Sequence, residues 1–73
     1  MRGLIDRKGE QFAYLVGNVI YTLDDEPTGR LEDDYILDLA GNQRWRVSGD
    51  GIYSLDSSET IGFLSSPAPN EYL

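Results

Sequence analysis

The chain has 73 residues, room for one domain, and its 13 acidic against 6 basic residues give a formal net charge of -7. That balance repels phosphate backbones and speaks against nucleic-acid binding. No cysteine or histidine occurs, which excludes disulfides and thiolate zinc sites and removes the commonest metal ligand and near-neutral base; no apolar run approaches the ~20 residues of a membrane helix, and the N-terminus lacks a signal-peptide core, so a soluble, cytoplasmic protein is expected.

Taken in chain order, the predicted elements form four units of one kind. The first, residues 3–18, has a strand around Leu4-Ile5, a turn at Lys8-Gly9, a returning strand through Tyr14-Leu15 and a second turn at Gly17-Asn18. Residues 19–34 repeat this with Val19-Ile20-Tyr21-Thr22-Leu23, turn residues Asp24-Asp25, a strand around Leu31 and the turn Asp33-Asp34. Residues 35–50 follow with Tyr35-Ile36-Leu37-Asp38-Leu39, Ala40-Gly41, Val47 and Gly49-Asp50. The fourth unit, residues 51–66, opens on Ile52-Tyr53 and turns at Asp56-Ser57. Its returning strand offers Phe63 in register or Leu64 one place late, from which a one-residue insertion near Ser57-Ser58-Glu59 is inferred. Residues 67–73 break the pattern with Pro67 and Pro69 and read as an extended arm whose Tyr72-Leu73 end folds back or frays.

The period is fixed: Leu4, Ile20, Ile36 and Ile52 stand 16 positions apart. Turn chemistry about every eight residues leaves strands of four to six residues and no room for ordinary helices. The expected fold is therefore all-β, with eight short antiparallel strands as four tandem 16-residue hairpins in a closed or nearly closed meander of pseudo-four-fold symmetry. Two-residue turns at Gly41-Asn42 and Gly49-Asp50 would set Ile36 opposite Val47 and Val47 opposite Ile52. Continued along the chain, this register lines up Leu4, Leu15, Ile20, Leu31, Ile36, Val47, Ile52 and Leu64 as an inner belt. Side chains alternate along a strand, so a second belt, Ile5, Tyr14, Tyr21, Arg30, Leu37, Arg46, Tyr53 and Gly62, faces the other way, joined there by Leu23, Leu39 and Leu55.

The phrases Val19-Ile20-Tyr21-Thr22-Leu23-Asp24, Tyr35-Ile36-Leu37-Asp38-Leu39-Ala40-Gly41-Asn42 and Gly51-Ile52-Tyr53-Ser54-Leu55-Asp56 resemble the bacterial proteins grouped as four-fold β-flower proteins. The likeness covers residues 3 to about 64. It implies a compact arrangement of four hairpin petals and brings no assigned activity with it.

Candidate chemistry is sparse. Asp24-Asp25-Glu26 and Glu32-Asp33-Asp34 offer carboxylates for calcium, but their spacing matches no calcium loop, and solvated turn acids are the plain reading. A glycosidase pair would need a cleft that so short a meander has little room to form. The serines lack a histidine to activate them, and the glycine-rich turns lack the strand-to-helix setting of a phosphate cradle. Trp45, between Arg44 and Arg46, reads either as a core filler on the inner face opposite Asp38 or as a contact residue.

The functional expectation is a non-enzymatic structural or interaction module without catalytic, cofactor or metal residues. It would form a homo-oligomer or bind a protein partner through Tyr14, Tyr21, Arg30, Leu37, Arg46 and Tyr53, because a single inner belt is a thin core and the second face needs cover. The alternative is a multivalent carbohydrate or small-ligand binding module, with tyrosine rings stacking on sugars at equivalent places around the ring.

Overall fold

The computed structural model describes residues 1–65. The end of the fourth unit at Ser66 and the arm of residues 67–73 lie outside the described residues. Eight strands follow one another: β1 (Arg2–Asp6), β2 (Gln11–Val16), β3 (Val19–Thr22), β4 (Pro27–Glu32), β5 (Tyr35–Asp38), β6 (Gln43–Ser48), β7 (Gly51–Ser54) and β8 (Thr60–Leu64). Each pairs antiparallel with its neighbour, and β8 returns to β1 through Leu4 opposite Leu64, Ile5 opposite Phe63 and Asp6 opposite Gly62. The sheet is a closed barrel, which leaves no strand edge unpaired.

Two kinds of turn alternate around it. Between units the turns are tight: Val16 faces Val19, Glu32 faces Tyr35 and Ser48 faces Gly51. Their first central residues, Gly17, Asp33 and Gly49, have φ of 62°, 56° and 61°, the positive value that the primed hairpin turns require. Within units the turns are longer and are held by a side chain that the period hides among variable residues. Asp6 Oδ1 accepts the N–H groups of Lys8 and Glu10, and Asp38 Oδ1 those of Ala40 and Asn42. Thr22 Oγ1 accepts from Asp24 and Glu26, and Ser54 Oγ from Glu59. An Asp, Thr or Ser at this place satisfies turn donors that would otherwise be left to water. The fourth turn is one residue longer: Ser54 N–H reaches Glu59 O where Asp38 N–H reaches Asn42 O. The insertion lies where the sequence places it.

These longer turns correct the expected register within units. Ile36 does not face Val47; it faces Trp45, while Leu37 faces Gln43. The turn leaves three residues, Leu39 to Gly41, between Asp38 and Asn42, and so an even register in which Val47 would point outward. One extra residue, Arg44, bulges from β6 and restores the parity, returning Val47 to the interior opposite Ile52. Phe12, Thr28 and Ile61 are the matching extra residues of β2, β4 and β8.

Across the tight turns the inner belt pairs as expected, with Leu15 opposite Ile20, Leu31 opposite Ile36, and Val47 opposite Ile52. Within the units the partners differ. Leu4, Ile20, Ile36 and Ile52 face Ala13, Gly29, Trp45 and Gly62, two positions short of the aliphatic partner expected for each. This two-residue stagger is the strand tilt that closing a sheet demands. Leu4, Ala13, Leu15, Ile20, Ile36, Val47, Ile52 and Leu64 are buried, with Leu31 half-buried beside them.

Two glycines mark where strands approach most closely. A Cβ at Gly29 would overlap the carbonyl oxygen of Leu37, and one at Gly62 that of Ile5. Gly62 thus belongs to the interior, and the outer position assigned to it is held by Phe63, 46% exposed. The insertion moved the strand by one residue and exchanged the two faces.

Candidate functional site

Because consecutive strands run up and down, the four long turns gather at one end of the barrel. The three tight turns gather at the other, beside the chain's start. The strands between them carry a wall, so the described residues offer three surfaces for a contact site.

The six residues expected to form one face occupy the wall, but as separate pairs around it. Tyr14 lies opposite Tyr21, Arg30 opposite Leu37, and Arg46 opposite Tyr53, each pair flanking a different tight turn. Tyr14 and Tyr21 stack with centroids 5.5 Å apart and planes 20° from parallel. The Tyr14 hydroxyl donates to Asp25 Oδ1, and that bond raises its pKa above the usual phenol value. Arg46 reaches the corresponding place in the fourth turn, donating to Ser57 Oγ at 2.6 Å. Asp25 and Ser57 both have positive φ, 67° and 65°, so these wall residues brace the strained corners of their turns. Arg30 pairs with Glu32 on its own strand at 3.2 Å, and the Tyr53 ring lies over Gly51. The belt is three unlike pairs set around the barrel, two of which brace a long turn, and the structure does not bring its members together as one face.

The acidic clusters are also separated. Asp24-Asp25-Glu26 lies at the long-turn end and Glu32-Asp33-Asp34 at the opposite end of β4, so their carboxylates do not converge. Within the turns, carboxylates serve as caps. The Ser58 hydroxyl, with the Ser58 N–H and the Ser54 hydroxyl, holds Asp56 down at a pKa of about 2. The Asn42 N–H likewise lowers that of Asp38.

The long-turn end carries the features that sequence reasoning placed elsewhere. Leu23, Leu39 and Leu55 are not wall residues; each is the first residue after a cap, at the tip of its turn, and they are 57%, 73% and 44% exposed. The turn's geometry rests on the cap and on the positive-φ corner, so nothing in it requires leucine. The fourth tip has Arg7 in that place.

Beside these tips the barrel has an opening. Phe12 and Ile61 fold over the core, and Trp45 meets Phe12 edge to face, centroids 6.2 Å apart at 86°. Trp45 is therefore a half-buried inner-face residue, as one of the two readings had it, but opposite Ile36 and Ser54 in place of Asp38. The second unit has only Thr28-Gly29 where the others have Phe12-Ala13, Arg44-Trp45 and Ile61-Gly62. A cavity of about 280 Å³ results. Its floor is Leu4, Ile20 and Ile36 from the core, Trp45 forms a wall, and Thr28, Asp38 and Arg44 stand at the rim. Arg44 Nη1 lies 4.0 Å from Asp38 Oδ2. The sequence signal for this site was the small pair Thr28-Gly29 set against the bulky pairs 16 residues either side.

Comparison of the chain with protein-family models, with curated proteins and with solved structures gave no match in any of the three.

Proposed function

We propose that the protein is a non-enzymatic interaction module, contacting a second copy of itself or a protein partner through the end of the barrel tipped by Leu23, Leu39 and Leu55. The observation that carries this reading is the exposure of three leucines at matching tips where the turns do not need them. The absence of histidine and cysteine from the chain supports the non-enzymatic half, since it leaves no ready general base or thiol nucleophile.

Magnitudes favour a reversible contact. A leucine gains roughly 1.5–3 kcal/mol when fully buried, and these three already hide part of their surface. One set would offset only part of the roughly 4–15 kcal/mol that association costs. An isologous contact between two copies buries both sets and comes closer to balance. Nearby wall residues, Tyr21 and Tyr53 among them, would add area at the margin.

The test is sedimentation velocity over a concentration series, comparing the parent chain with the triple variant Leu23→Ser, Leu39→Ser, Leu55→Ser. The reading expects the parent to shift toward a larger species with concentration and the variant to remain a monomer. A parent chain that stays monomeric to about 1 mM, where only contacts weaker than about 4 kcal/mol escape, removes self-association and leaves the protein partner. An unchanged shift in the triple variant removes the leucine end from the contact.

A further inference from the structure

The geometry points to the cavity at the long-turn end as a single binding site for a free α-amino acid with an apolar side chain. The reasoning starts from its floor. Leu4, Ile20 and Ile36 offer no hydrogen-bond partner, so a ligand covered in hydroxyls would strand them there at a cost, whereas an apolar side chain would be accepted. Trp45 adds a flat aromatic wall against which a ring or branched chain packs. The volume, about 280 Å³, lies just under the range of drug-sized pockets and suits one side chain.

The rim settles the head group. Arg44, 64% exposed and only 4.0 Å from Asp38, keeps most of its fixed fork of donors available for a carboxylate. Asp38 is held in its ionised form by the N–H groups of Asn42 and Ala40 on Oδ1. Among the described residues its Oδ2 meets the Asn42 amide at 3.4 Å and Arg44 at 4.0 Å, contacts long enough for an ammonium group to compete with them. A cation and an anion side by side above an apolar pit match the adjacent charges of an amino-acid zwitterion. Simple anions are disfavoured by the chain's charge of -7, which a neutral zwitterion does not feel at long range.

The four long-turn positions are not equivalent. Arg44 and Trp45 stand where the other units have Phe12-Ala13, Thr28-Gly29 and Ile61-Gly62, and among the described residues this cavity opens beside the small second pair. Repetition builds the barrel, and departure from repetition builds the pocket.

The emission of Trp45, the only tryptophan, provides the readout. Titration with L-phenylalanine and L-leucine should change it saturably. Phenylacetate and phenethylamine, each lacking one charge, should bind about 1.4- to 5-fold weaker, the range expected of solvent-exposed ion pairs. Arg44→Gln should weaken the amino acids by a similar factor. Thr28→Phe, an exposed-site change that fills the mouth, should abolish binding while the circular dichroism stays that of the parent. No saturable response to either amino acid overturns the proposal, as does equal affinity for the one-charge analogues or parental binding by Thr28→Phe.

Discussion

Replacing Gly62 by alanine should open the seam that closes the barrel. The new methyl would overlap the Ile5 carbonyl oxygen and lie 3.0 Å from Ile5 C and 3.1 Å from Asp6 Cα, against the ~3.5–4.0 Å at which carbon atoms rest in contact. All three obstacles are backbone, so no rotamer change relieves them; β1 and β8 must separate locally or tilt. Overpacking of this kind costs roughly 1–3 kcal/mol, and weakened seam hydrogen bonds add about 1 kcal/mol each, so a loss of about 3 kcal/mol is expected. For a chain this short, whose whole stability is on the order of 4–10 kcal/mol, that is a large fraction. Urea unfolding followed by Trp45 emission should show the midpoint fall by about 1–3 M at the m-values of small proteins. Two control glycines separate the causes. At Gly51 the nearest atoms to an alanine methyl are the ring and hydroxyl of Tyr53, which can swing away, so Gly51→Ala should cost less than about 1 kcal/mol. At Gly9 nothing lies within 4 Å but φ is 87°, so Gly9→Ala should lose about 1 kcal/mol through backbone strain alone. If Gly62→Ala is no worse than Gly51→Ala, the close approach of β8 to β1 is wrong.

Ile52, with none of its surface exposed, should lose about 2–5 kcal/mol as alanine and Leu31→Ala distinctly less, measured in the same urea series. The caps make an acid prediction. Asp56, held at about 2 by Ser58 and Ser54, has a folded pKa below that of the unfolded chain, so its contribution is fully present above about pH 4. It is lost as pH falls through about 2. Melting temperature measured from pH 5 to pH 2 should fall less steeply in Asp56→Asn than in the parent, and parallel curves would show that the cap carries no proton-linked stability.

Much of the barrel was legible in the sequence because its two strongest signals are local. The aliphatic column Leu4, Ile20, Ile36, Ile52 fixed the strands, and the glycines and aspartates of the tight turns fixed the register between units, as Val47 opposite Ile52 shows. The insertion in the fourth turn was visible as the displacement of Leu64. What was hidden is the bulge. Its residues, Phe12, Thr28, Arg44 and Ile61, share no one residue type, because a bulged position is defined by backbone geometry first. Parity alone could have found it: the capped turn leaves three residues between Asp38 and Asn42, and that cannot place both Ile36 and Val47 inside without one residue extra. Missing it displaced Trp45 from its partner. The cap column, Asp6, Thr22, Asp38 and Ser54, is hidden in the sequence because it is united by an acceptor oxygen and not by residue type. The outer-face expectation for Leu23, Leu39 and Leu55 extends alternation past the end of the strand, where alternation no longer applies.

The closed core ring, on which the gathering of the long turns at one end rests, exists only if β1 meets β8. The most direct test is the hydrogen bond from Ser65 N–H to Gly3 O, 2.9 Å long, read as a through-bond nitrogen–carbonyl coupling in the labelled protein together with the Leu4–Leu64 cross-strand contact. A measurable coupling and that contact are what a closed barrel requires. An unprotected Ser65 amide with no Leu4–Leu64 contact, in a chain whose other seven strand pairs are intact, would mean an open meander and contradict the account at its foundation.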